Sequence, residues 1–136
     1  MTQDTNTDHL AITQLMASYA AGIDNRDRAL YRSCFADDLE IVGFSSGTMH
    51  GGDTWVDFVW DTIKKFGATQ HLLGIPLITI KGDSANARTN VQAFHEIIDS
   101  EETFTLWANY NTDMKRTAVG WEISRHELIV RSTRTA

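Results

Sequence analysis

Residues 85, 87, 89, 91, 93 and 95 are Ala, Ala, Thr, Val, Ala and His, whereas residues 86, 88, 90 and 92 are Asn, Arg, Asn and Gln. Alternation sustained over this length is the period of a β-strand with one face in a core. It puts His95 on the apolar face. The next run repeats the pattern, with Phe104, Leu106, Ala108 and Tyr110 on one side and Thr105, Asn109 and Asn111 on the other. A third, from about Gly120 to Val130, carries Trp121, Ile123, Arg125 and Ile129 on one face. Thr69 to Ile80 is rich in β-branched and apolar residues, and Gly82-Asp83 is a tight-turn signal. The second half of the chain therefore reads as a meander of strands, and its small inward residues leave room for something other than side chains.

The first half has a different period. Leu10, Ile12, Leu15, Met16, Tyr19 and Ile23 recur at three- and four-residue spacing, the pattern of an amphipathic helix. Asp8 is its expected N-cap after a flexible tail of residues 1–8. Gly22 and the polar run 24–28 end it, so Asp24 sits at a helix end where helical period does not fix its direction. Residues 29–35 supply a shorter helix, Asp37 and Asp38 a turn, and residues 39–44 a short strand. Gly47, Gly51 and Gly52 lead into a third helix faced by Trp55, Phe58, Val59, Ile63 and Phe66. Helices followed by an antiparallel meander make an α+β order, with helices covering one side of a curved sheet. At 136 residues one domain spanning the chain is expected.

Twelve basic against eighteen acidic residues give a net charge of -6, and no basic cluster offsets it, so nucleic acid is not an expected partner. No apolar run approaches the ~20 residues of a membrane span. The single cysteine, Cys34, leaves no internal disulfide and reads as a small buried hydrophobe. With no signal-like segment, a cytoplasmic protein is expected.

Tyr19, Asp24, His71 and His95 form a candidate acid/base set, because a carboxylate that orients one imidazole, with a second imidazole and a phenol beside it, moves a proton without a cofactor. Set against this, a histidine on an apolar strand face is often a satisfied core residue, and Asp24 is also a natural cap for the second helix. Asp24, His71 and His95 can be read as a two-histidine, one-carboxylate metal site as well, although no ligand-spacing signal accompanies them; no metal is expected. Phe44, Met49, Trp55, Leu73, Phe104, Tyr110 and Arg125 are candidates for the wall of a pocket. His9, His50 and His126 fall in a tail, a turn and an edge-like strand, where a surface position is expected.

Gly22-Ile23-Asp24-Asn25-Arg26-Asp27, Phe35-Ala36-Asp37-Asp38, Gly51-Gly52-Asp53, Gln70-His71 and Gly120-Trp121-Glu122-Ile123, in this order and spacing, resemble the SnoaL-like branch of the nuclear transport factor 2-like superfamily over residues 8 to 132. The resemblance implies a cone-shaped α+β barrel, in which three N-terminal helices close a strongly curved, mainly antiparallel sheet around one apolar pocket. It is nearest to the dehydratase-type members: scytalone dehydratase, bile-acid 7α-dehydratase and hexachlorocyclohexane dehydrochlorinase. For those it implies an Asp24–His71 base, His95 as a second histidine, Tyr19 on helix one, no cofactor and an apolar cyclic substrate. The implied activity is that of a lyase or isomerase. The alternatives within the same fold are a polyketide-type cyclase and a non-catalytic hydrophobic-ligand-binding or association module. A homodimer or homotrimer is expected from the same resemblance.

Overall fold

The structure, a computed structural model, describes residues 5–136. Helix α1 (Thr5–Asp24) and the short α2 (Arg28–Ser33) precede strand β1 (Phe35–Val42), the two-residue β2 (Met49–His50) and helix α3 (Gly52–Thr62). A 3-10 turn, Ile63–Lys65, follows, and then β3 (Phe66–Leu73), β4 (Leu77–Lys81), β5 (Ser84–Ile97), β6 (Thr103–Thr117) and β7 (Gly120–Thr135). The strands form one curved sheet in the order β2-β1-β7-β6-β5-β3, with β4 paired to β5 beside β3. All pairings are antiparallel except β1 with β7. The sheet ends at β2 and β3 without closing, so the architecture is an α+β cone with an open, curved, mainly antiparallel sheet.

Ile12, Met16, Tyr19 and Ile23 project from one face of α1 into the core, where they meet Phe35, Leu39 and Ile41 of β1 and the small inner residues of β5 and β6. Burying each of the larger side chains contributes roughly 1.5–3 kcal/mol. Leu10 falls off this stripe and stays exposed. Cys34 is buried as expected, and burial pushes its thiol up to about 12.

Two expectations fail at the start of the chain. Residues 5–8 of the supposed tail are helical, while 1–4 lie outside the described residues. Asp8 is not an N-cap. It is buried inside α1, where both carboxylate oxygens receive the Arg116 guanidinium at 2.8 and 2.9 Å and the Trp121 indole donates at 3.2 Å. Arg116 itself lies over the Trp121 ring and also bonds Asp83, so the start of α1 is pinned to the β6–β7 end of the sheet. No spacing pattern links residues 108 positions apart in this way.

The α1–α2 corner explains where Asp24 points. Gly22 is required there, since a Cβ would lie 2.8 Å from the backbone nitrogen of Tyr31. Asp27, not Asp24, caps α2 by accepting from the Leu30 amide at 3.1 Å. Asp24 is thereby left free to face the sheet. Asp37 and Asp38, expected in a turn, belong to β1, whose register to β7 shifts between Phe35 and Glu40.

Strand β7 departs from the sequence reading in its middle. Asp113 pairs with Arg125 but Met114 pairs with Ile123, so Ser124 is an extra residue, a β-bulge. The bulge moves the inner face from odd to even positions: Trp121 and Ile123 are buried before it, His126 after it. Among the described residues no helix is long and apolar enough to cross a membrane.

Candidate functional site

A cleft of about 400 Å³ opens between the helices and the concave side of the sheet. This is the size of small-molecule sites in general. Its walls are mostly apolar or aromatic, including Ile23, Phe44, Trp55, Phe58, Phe66, Phe104 and Leu106, with Tyr19, Tyr31, Tyr110, Thr69, His71 and His95 supplying polar atoms.

Asp24 ends α1 directly opposite β3. One carboxylate oxygen accepts from His71 Nδ1 at 2.8 Å and from the Thr69 hydroxyl at 3.0 Å; the other accepts the His71 backbone amide at 2.7 Å. Arg26 locks this arrangement from outside. With φ of 55° it reverses the chain after the helix, and its guanidinium donates to the Ile23 carbonyl, the Thr69 hydroxyl and the Gly67 carbonyl at 2.7, 2.9 and 2.7 Å. Burial raises the Asp24 carboxyl, but the hydrogen bonds from His71 and Thr69 and the charge interaction with His71 outweigh it and hold the acid below its ordinary value. Asp24 is therefore an acceptor, and His71 Nδ1 carries the hydrogen between them. That leaves Nε2, which has no hydrogen-bond partner among the described residues, on the ring that lines the cleft.

His95 stands beside it, with ring centroids 5.8 Å apart. Its Nδ1 lies 3.0 Å from the Phe104 carbonyl, an oxygen that only accepts, so Nδ1 carries the hydrogen here too. Burial pulls His95 below the ordinary histidine range; the Phe104 carbonyl opposes this and His71 adds to it. Neutral His95 thus offers an acceptor to the cleft.

Three phenols also line the cleft. Tyr19 is buried; its hydroxyl lies 3.1 Å from His126 Nε2, and its ring packs against those of Tyr31 and Tyr110 with centroids 5.2 and 5.4 Å apart. The Trp55 indole donates to Tyr31 at 3.2 Å, and His126 Nδ1 lies 2.9 Å from the Thr112 hydroxyl. Burial raises all three phenols far above their ordinary value and pulls His126 down to about 3. The whole group is neutral at pH 7.

Of the wall residues expected, Phe44, Trp55, Phe104 and Tyr110 line the cleft. Leu73, Met49 and Arg125 do not. Leu73 shares the inward face of β3 with His71 but lies at the strand's far end, in a separate groove with Thr13, Met16 and Ala17 of α1. Met49 sits in the edge strand β2 and packs on the core from outside the cleft. Arg125 is turned away by the Ser124 bulge and pairs with Glu40 at 3.0 Å and Glu127 at 3.5 Å. The same bulge overturns the surface expectation for His126, which is fully buried, whereas His9 and His50 are exposed. Thr69, Arg26, Tyr31 and Thr112 went unnoticed; only the β-strand period through Thr69 and His71 carried a signal for any of them. Among the described residues no three His, Cys, Asp or Glu side chains are placed to hold a metal, so Asp24, His71 and His95 are not a ligand set.

The SnoaL-like domain model matches residues 4–127. The chain belongs to the SnoaL-like domain family. Within reach of this SnoaL-like chain is an uncharacterised protein of Mycobacterium tuberculosis strain H37Rv, 28% identical over 127 residues, covering 88% of this chain and 82% of that protein. Among solved structures, a Kribbella flavida protein superposes with a TM-score of 0.90 at 25% identity, covering 96% of this chain and 95% of that one. A hexachlorocyclohexane dehydrochlorinase of type 3 from Novosphingobium barchaimii LL02 does so with 0.84 at 19%, covering 97% and 94%. A Novosphingobium aromaticivorans protein that carries scytalone dehydratase as a provisional name gives 0.88 at 21%, covering 95% and 87%. These similarities establish the fold that the SnoaL-like chain shares with such proteins.

Proposed function

We propose that this chain is a lyase or isomerase that moves a proton on an apolar cyclic small molecule, with the Asp24–His71 pair as general base. One observation carries the reading: the 2.8 Å bond from His71 Nδ1 to Asp24, which leaves Nε2 as the base on the cleft side of the ring. His71 Nε2 takes a hydrogen from the carbon next to a carbonyl as a proton, and the C–H electron pair passes into the carbonyl to form an enolate. A phenol hydroxyl of the tyrosine cluster stabilises the oxygen, and Asp24 stabilises the imidazolium. The proton then returns either to a more distant carbon, which completes an isomerisation, or to a neighbouring hydroxyl that leaves as water, which completes a dehydration. Every step uses side chains of this chain alone. The presence of dehydratase- and dehydrochlorinase-named proteins among its structural neighbours supports the same class.

The test is exchange of α-hydrogens for deuterium in D2O, followed by NMR over a panel of cyclic ketones and enones that includes 1-indanone. Catalysed exchange that falls about 10²–10⁴-fold in His71→Gln supports the reading. Saturable binding across the panel with no exchange contradicts it and favours a ligand-binding module. Homodimer or homotrimer assembly belongs to the same proposal; exposed Leu72, Ile75 and Leu77 around the β3–β4 connection offer apolar surface for it, and light scattering at micromolar concentration measures it.

A further inference from the structure

The cleft walls carry hydroxyls, imidazoles and aromatic rings, and one side chain of fixed charge: among the described residues that line it, Lys65 is the one Lys, Arg, Asp or Glu. Local sequence explains why lysines stand at this place. Lys64 and Lys65 end the 3-10 turn that follows α3, where the partial negative charge of a helix C-terminus favours cations. Lys64 stays on the outside, with its ammonium 3.4 Å from Asp61 and both side chains exposed. Lys65 turns the other way. Its ammonium stands over the Phe66 ring, 5.2 Å from the centroid and within cation–π range, and Phe66 is part of the cleft wall.

A ring face uses none of the three N–H donors of an ammonium. Among the described residues Lys65 has no carboxylate in ion-pairing reach, although the chain holds eighteen acidic residues against twelve basic ones. Solvent serves those donors while the cleft is open, and an anionic group of a ligand takes over when the cleft fills. Position decides which end of the ligand bears that group. The Phe66 ring lies 4.6 Å from His95, and His95 lies 5.8 Å from His71, so the four side chains are successive neighbours along the wall. A ring that reaches His71 past Phe66 and His95 has its far edge toward Lys65. A single ammonium suits a carboxylate. A phosphate dianion draws on several cations or backbone N–H groups, and no second Lys and no Arg lines the cleft.

We infer that the ligand is an anion, a cyclic ketone or enone that bears a carboxylate on the side away from its reacting carbon, and that Lys65 is the residue that selects for it. The inference deepens the reading above and rests on it for the identity of the cleft, but it is read in binding and not in turnover.

The test is NMR titration of the full-length protein with 1-indanone-5-carboxylate and with its methyl ester, which keeps the ring and lacks the charge. The unaltered protein is expected to bind the carboxylate about two- to fivefold more tightly than the ester, the range of an ion pair open to solvent. Lys65→Met is expected to abolish or reverse that preference, because the remaining charge of the chain repels an anion, and Lys65→Arg is expected to keep it. Lys64→Met removes the same charge one residue away and is expected to keep the preference as well. Equal affinities in the unaltered protein, or tighter binding of the ester, would overturn the inference. So would a preference that survives Lys65→Met, or one that Lys64→Met removes as fully. Exchange of the α-hydrogens of neutral 1-indanone in the unaltered protein reports on the base alone. Exchange without a carboxylate preference sinks the role of Lys65 and leaves the base standing; a Lys65-dependent preference without exchange does the reverse.

Discussion

Replacing His126 with glutamine removes a titrating ring from behind Tyr19 while keeping a side chain able to hydrogen-bond. In the folded protein burial pulls this histidine from 6.5 down to about 3. Between those values the unfolded chain binds one proton that the folded chain excludes, so unfolding becomes easier as pH falls and stability rises with pH. The slope for one such group is about 1.4 kcal/mol per pH unit, so acidification from pH 6.5 to pH 5.0 removes about 2 kcal/mol through His126 alone. His95, whose value is also lowered, adds in the same direction. Asp24 acts in another window: its depressed value contributes stability above the ordinary carboxylate value of 3.8, which is lost only as pH falls through the folded value below that. Urea unfolding of the protein and of His126→Gln at pH 7.5, 6.5, 5.7 and 5.0 separates these contributions. The variant is expected to begin lower, by about 1–3 kcal/mol for imperfectly remade bonds to Tyr19 and Thr112, and to lose stability less steeply below pH 6.5. Equal slopes in the two proteins would refute a neutral, buried His126.

Gly22→Ala is expected to cost about 1–3 kcal/mol, because its Cβ would lie 2.8 Å from the Tyr31 backbone nitrogen and α2 would have to move; thermal melts check this. Arg26→Ala leaves Asp24 and His71 intact but removes the three bonds that tie the helix end to β3, so it is expected to weaken exchange of a ketone's α-hydrogens about tenfold or more through misplacement of the base. Unchanged exchange in that variant would show that Asp24 is held without it.

The parts of the fold that were legible are those where one period runs unbroken. The alternation through His95 and the helical stripe Ile12, Met16, Tyr19, Ile23 both survive in the structure as faces turned to the core. The meeting of Asp24 with His71 was not readable from either period, since Asp24 ends its helix; it came from the resemblance to the family. What stayed hidden depends on long-range pairing. Nothing local marks Ser124 as a bulge, yet it reverses the faces of β7, buries His126 and turns Arg125 away. Asp8 looked like a cap because such residues start helices, and only its contact with Arg116, on a strand 108 residues later, makes it part of the interior. Leu73 and Met49 were chosen for their chemistry, while their distance along strand or edge kept them from the cleft.

The Asp24–His71 base is tested most directly by the rate of α-hydrogen exchange in a bound cyclic ketone, compared between the protein and Asp24→Asn. Asp24 accepts three hydrogen bonds through its two oxygens; asparagine replaces one oxygen with a donor and cannot stabilise an imidazolium. The account predicts exchange that falls about 10²–10⁴-fold in the variant with probe binding retained. Exchange in Asp24→Asn as fast as in the unaltered protein would contradict it.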